Sequence, residues 1–89
     1  MKLNCTFTIR CIMDEYVAIP VGESALHFSG MMSTNAVGAL VLEELREDRT
    51  EVELLDRILE EFEVDRQTAE QDLRELLQSL EQMQVLDRA

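Results

Sequence analysis

Histidine occurs once in this chain, at His27, so one copy cannot assemble a histidine-based catalytic triad or a His-rich metal site. Cysteine occurs twice, at Cys5 and Cys11, without a CxxC spacing, which is too little for a disulfide scaffold or a zinc ribbon. On one extended strand the six-residue separation holds the two sulfurs about 20 Å apart, at about 3.3 Å per residue, so they do not bridge each other. Two reduced, mostly buried thiols are the expectation. With three glycines and one proline there is no Gly-rich phosphate loop. Basic residues are scarce as well: 8 stand against 19 acidic ones, a net charge of -11, which disfavours any polyanionic partner and favours cationic ligands or other proteins. No apolar run approaches the roughly 20 residues of a membrane span, and no signal-peptide pattern opens the sequence, so the expectation is a cytoplasmic protein with no membrane contact. These absences weigh against an enzyme, and neither metal nor cofactor is expected.

What is present is a folded pattern in a chain of 89 residues, enough for one domain spanning 1–89. Residues 6–13 alternate and are rich in β-branched types, which predicts a first strand. Asp14 and Glu15 supply a turn, and Tyr16 to Ile19 form a second β-rich run ended by Pro20, giving a strand over 16–20. After a turn at Gly22, Glu23 and Ser24, a third strand is predicted over 25–29, with Leu26 and Phe28 on one face and Ala25, His27 and Ser29 on the other. Gly30 closes it.

The period then changes to helical. Ser33 or Thr34 can cap a first helix, over 34–46, that carries Val37, Leu40, Val41 and Leu45; Gly38 inside it suggests close packing. Thr50-Glu51-Val52-Glu53 matches a capping box and opens a second helix over 51–62, with Leu54, Leu55, Ile58, Leu59 and Phe62 as its apolar face. The longest periodic stretch follows Asp65, a plausible N-cap, and predicts a helix over 66–84. Ala69, Leu73, Leu76, Leu80 and Met83 form its core stripe, and Leu77 widens that stripe along one side. Glu53 with Arg57 and Glu70 with Arg74 are expected as i,i+4 pairs. The carboxylate pairs Glu43-Glu44 and Glu60-Glu61 fall on charged helix faces, where solvated carboxylates are ordinary. The fold class is α+β: a three-stranded antiparallel β-meander followed by three α-helices, a winged helix-turn-helix-like plan.

Glu15-Tyr16-Val17-Ala18-Ile19-Pro20-Val21-Gly22, then Asn35-Ala36-Val37-Gly38-Ala39, Thr50 at the second helix, Phe62-Glu63-Val64-Asp65, Ala69, Asp72 and Leu80 form a spaced set that resembles the PqqD-like family, the RiPP precursor peptide recognition elements. The resemblance runs from about Arg10 to Leu86. Thr34, Leu42 and Gln84 stand where the family usually has a Leu, an aromatic residue and a Gly.

The resemblance implies a non-catalytic protein that binds the leader segment of a ribosomally synthesised precursor peptide and presents the core to a modifying enzyme, often a radical SAM protein. It also implies that the leader adds as a strand to the third strand, in the cleft beside the third helix. Carried onto this chain, the strand is Ala25, Leu26, His27, Phe28 and Ser29. A sheet edge there is unguarded by Lys or Pro and would take an extended peptide by β-augmentation. Leu26 or Phe28 with Leu73 and Leu77 are the candidates to line its apolar pockets, while Arg66 and Glu70 could pair with leader charges. Met31 and Met32 are either core or adaptable binding residues.

Two rival readings stand beside this one. A DNA-binding winged helix has the fold plan in its favour, but its recognition helix would carry only Arg66 and Arg74 among Glu70, Asp72, Glu75 and Glu81, too few cations to neutralise phosphates. The other rival is an assembly domain that forms a homodimer through the strand edge or the Leu77 flank.

Overall fold

The structure is a computed structural model and describes residues 1–23 and 31–87. Strand β1 spans Lys2–Leu3, β2 Phe7–Ile12, β3 Glu15–Pro20 and β4 Met32–Thr34. Three helices follow, α1 Ala36–Glu44, α2 Glu51–Glu61 and α3 Arg66–Gln82, and β5 Leu86–Asp87 ends the described chain. The class is α+β, with antiparallel strands preceding three helices.

β2 and β3 form a hairpin joined at Met13 and Asp14, both with positive φ, at 50° and 67°. Two consecutive left-handed residues make the type I′ turn whose twist matches the flanking strands, although Asn-Gly or Asp-Gly is the usual choice there. In the register Phe7 faces Pro20 and Ile12 faces Glu15. β4 pairs antiparallel with β3, Tyr16 against Thr34 and Ala18 against Met32, so the sheet order is β2-β3-β4. The strand expected over 25–29 lies outside the described residues. Among those described, the third strand of the meander is Met32–Thr34, a segment the sequence reading gave to a loop and a helix start.

The start of the first helix differs accordingly. The N-cap of α1 is Asn35, whose Oδ1 accepts from the Gly38 amide at 2.8 Å, and not Ser33 or Thr34. Asn caps as well as Ser or Thr. With the cap at Asn35, the preceding residues are free to stay extended and to pair with β3.

The other two caps form as the sequence predicts. Thr50 accepts from the Glu53 amide at 3.2 Å while Glu53 Oε1 accepts from the Thr50 amide at 2.9 Å, the reciprocal capping box. Asp65 accepts from the Thr68 amide at 3.0 Å and from its hydroxyl at 2.7 Å. The Thr68 hydroxyl and amide hold the Asp65 carboxyl below the usual carboxylate range, and the Thr50 amide and hydroxyl do the same for Glu53.

α3 ends in a Schellman motif: the Val85 amide donates to Leu80 O at 3.1 Å and the Gln84 amide to Glu81 O at 3.0 Å. Gln84 takes the left-handed position at φ 61°. The turn sends Leu86–Asp87 back against Lys2–Leu3, with Leu3 opposite Leu86, and so closes a second, two-stranded sheet that the sequence reading did not anticipate.

The core is built by Val41, Leu42 and Leu45 of the α1 end, Leu54 and Ile58 of α2, and Leu73, Leu77 and Leu80 of α3, all at most 1% exposed. Leu76 is only partly buried. The inner stripe of α3 is therefore Ala69, Leu73, Leu77 and Leu80, and Leu76 is the residue that widens it. Both sets are helical repeats; tertiary packing selects which one is enclosed.

The charge pairs also differ from the expectation. Arg57 donates to Glu44 Oε1 at 3.0 Å and to Glu60 and Glu61, so it ties α1 to α2 instead of meeting Glu53. These carboxylates raise the Arg57 pKa further above its already high ordinary value. Arg74 lies 3.8 Å from Glu51 of α2, and Glu70 3.8 Å from Arg66. Cys11 is exposed on β2, contrary to the expected burial; Cys5 is half-buried, and burial pushes its thiol up.

Candidate functional site

β4 is an edge strand, bonded to β3 on one side only among the described residues. Its C-terminal end borders a cleft of about 210 Å³ whose near wall is Thr34, Asn35, Val37 and Gly38 and whose far wall is the middle of α3. On that far wall Asp72, Glu75, Leu76 and Ser79 recur at helical spacing and share one face of α3. Leu73 forms the floor, and Leu76 is the apolar side chain of α3 that reaches the opening.

Within the near wall Thr34 approaches α1 tightly because residue 38 is glycine. A Cβ on Gly38 would overlap Thr34 Oγ1 and lie 3.0 Å from Thr34 Cβ. The close packing expected from Gly38 is thus a contact between the first turn of α1 and the last residue of β4. It fixes the end of the edge strand relative to α1.

The site residues proposed from sequence separate into three groups. Ala25, Leu26, His27, Phe28 and Ser29 lie outside the described residues. Leu73 and Leu77 are both closed into the core, at 1% and 0% exposure. Leu77 therefore offers no surface, and the α3 leucine that reaches the cleft opening is its neighbour Leu76. Arg66 and Glu70 are solvent-facing and 3.8 Å apart, and neither lines the cleft beside β4. Glu70 lies instead along a shallow polar groove with Gln67, Gln71 and Arg74.

Sequence reasoning missed Thr34, Val37, Asp72, Glu75, Leu76 and Ser79 as cleft residues. The signal available for the far wall was the alternative stripe itself: 72, 75, 76 and 79 form a second helical face beside the enclosed one. Met31, at 68% exposure, stands immediately before β4, whereas Met32 packs against the core. The two methionines thus take different roles.

A larger hollow of about 890 Å³ lies elsewhere, between the N-terminal segment and the end of α3. It is poorly suited to strand addition, because backbone amides along it are already engaged: Leu3 with Leu45 O at 3.0 Å, Asn4 with Val85 O at 2.9 Å and Val21 with Thr6 O at 3.1 Å. Among the described residues no group of three or more His, Cys, Asp or Glu side chains is placed to hold a metal ion, and no helix is long and apolar enough to cross a membrane.

Comparison with solved structures gives two neighbours. TbiB1 in complex with the TbiA(beta) leader peptide is 29% identical, with a TM-score of 0.69, over 100% of this chain and 98% of that one. Lasso peptide synthetase B1 complexed with the leader peptide is 20% identical, with a TM-score of 0.61, over 91% of this chain and 89% of that one, a likeness of fold alone. Curated proteins show no significant match. The family model described as coenzyme PQQ synthesis protein D (PqqD) matches residues 15–86, and with the strand edge, three helices and cleft just described, the chain belongs to that family.

Proposed function

We propose that this chain is a non-catalytic recognition protein for the precursor of a ribosomally synthesised, modified peptide. It takes the precursor's leader segment as an added strand on β4, in the cleft between β4 and α3, and presents the core to a modifying enzyme in the cytoplasm. The observation that carries the reading is the juxtaposition of an edge strand, Met32–Thr34, with an apolar opening at Leu76. The leader-bound state of the TbiB1 neighbour supports it.

The energetics require both parts. A backbone hydrogen bond contributes about 0.5–1.5 kcal/mol net, and β4 is three residues long, so its outward groups supply a few such bonds. Micromolar affinity requires about 8 kcal/mol. Apolar burial at about 1.5–3 kcal/mol per side chain must supply much of the rest, and Leu76 is placed to receive it. Ordering an extended peptide opposes both terms.

The modifying partner is a radical SAM enzyme on the family resemblance. Nothing favours nucleic acid: the face of α3 toward the cleft carries Asp72 and Glu75 and no cation. Self-association at the same edge would bring together two chains of net charge -11, which opposes a homodimer.

A fluorescence-polarisation titration against leader peptides encoded beside this reading frame tests the proposal. Saturable binding at micromolar concentration or tighter, competed by unlabelled leader, is expected. Absence of binding to every such leader would overturn it.

A further inference from the structure

The β4–α3 cleft is chemically one-sided. Its far wall presents Asp72 and Glu75, one helical turn apart on the same exposed face of α3. Neither carboxylate has an ion-pair partner among the described residues: Arg66 is with Glu70, and Arg74 is near Glu51. The near wall adds no cation, and its polar groups are in part already used, since Asn35 Oδ1 is committed to the Gly38 amide. Beside its apolar residues Val37, Leu73 and Leu76, the cleft therefore holds two carboxylates without an ion-pair partner among the described residues, within a chain of net charge -11.

Resting on the function proposed above, we infer that Asp72 and Glu75 are specificity-determining residues that select a leader carrying Lys or Arg next to the apolar residue that meets Leu76. The cleft itself is the site; the carboxylates decide which guest it admits. A guest cation there relieves the repulsion between the two carboxylates and gains an ion pair with each. An acidic residue at the same place adds a third like charge, which costs affinity and slows association.

The discrimination is electrostatic and exposed, so it is modest in size and falls with salt. A surface ion pair contributes about 0.2–1 kcal/mol, so exchanging one guest Lys for Glu, which replaces an attraction by a repulsion, is expected to weaken binding about fivefold at low ionic strength. Raising salt above about 0.15 M, where the screening length falls to about 8 Å, should shrink that ratio.

The test uses the whole chain and the leader peptide encoded beside its reading frame, fluorescently labelled, with each Lys or Arg of the leader replaced singly by Gln and by Glu. Kd is measured at low and high salt against the unaltered chain and against Asp72→Lys, Glu75→Lys and the double variant. Both positions are exposed on a helix, and far-ultraviolet circular dichroism checks that each variant folds. The expected result is one leader cation whose reversal to Glu weakens binding about fivefold to the unaltered chain, with affinity restored by the double Lys variant and the effect reduced at high salt. Binding that is tight but indifferent to every leader charge, or a leader with no Lys or Arg, overturns this inference and leaves the leader-binding reading standing. If no leader binds at all, both fail.

Discussion

Gly38 lies against Thr34 so closely that a methyl group at residue 38 has nowhere to go: it would overlap the Thr34 hydroxyl oxygen and approach Thr34 Cβ to 3.0 Å. In an exposed helix Gly→Ala ordinarily stabilises by about 1 kcal/mol. Here the sign reverses, because Thr34 is β-branched and ends the edge strand. Gly38→Ala is expected to destabilise the fold by about 1–3 kcal/mol through overpacking. It should also weaken leader binding by displacing β4. Urea unfolding and the leader titration read the two effects separately, and a stabilised variant with unchanged affinity would contradict the contact.

Leu76 and Leu77 are adjacent in sequence and opposite in consequence. Leu77→Ala removes a fully enclosed side chain and should cost about 2–5 kcal/mol of stability. Leu76→Ala should cost much less stability. It removes a surface available to the guest instead, and affinity should fall about tenfold, the equivalent of about 1.4 kcal/mol of lost apolar burial. Thermal unfolding and fluorescence polarisation on both variants decide the assignment.

Gln84 pays a conformational cost at the end of α3, where φ is 61° and the Schellman bonds to Leu80 and Glu81 require a left-handed residue. Glycine takes that conformation freely. Gln84→Gly is therefore expected to stabilise by about 0.5–1 kcal/mol, after allowing for the extra freedom of glycine in the unfolded chain. For a domain of this size that is a rise of a few degrees in the melting midpoint, about 4–8 °C per kcal/mol. A lower midpoint would count against the motif.

Acid should loosen two helix starts. Asp65 and Glu53 have folded-state pKa values below their ordinary values of 3.8 and 4.5, so the folded chain binds fewer protons than the unfolded one. Their contribution is complete above those ordinary values and is lost as pH falls through the lower folded-state values. The melting midpoint should therefore drop as pH is lowered below about 4.5, and Asp65→Asn, which can still cap but removes the charge at the helix start, should reduce that dependence. An unchanged slope in the variant would remove Asp65 from the account.

The two thiols should react unequally. Cys11 is exposed, whereas burial raises the Cys5 pKa and keeps that thiol protonated. Brief treatment with iodoacetamide at pH 8 should give a singly alkylated chain modified at Cys11, as read by peptide mass spectrometry.

Local chemistry was legible in the sequence wherever it is decided within a few residues. The capping box at Thr50 and Glu53, the cap at Asp65, the helical periods and the β2–β3 hairpin follow from side chains that bond or repeat over one or two turns of chain. The acidic balance that disfavours a polyanion is likewise a property of composition. The tertiary structure decided the rest. Asn35 rather than Thr34 caps α1 because β3 offers pairing to Met32–Thr34, a partner distant in sequence. Lys2–Leu3 becomes a strand because Leu86–Asp87 returns to meet it. Leu77 is enclosed and Leu76 is not because two helical stripes of equal periodicity lie side by side on α3, and a repeat along one helix carries no information about where its neighbours will stand. That last choice, made by tertiary packing, sets which side chains line the cleft beside β4.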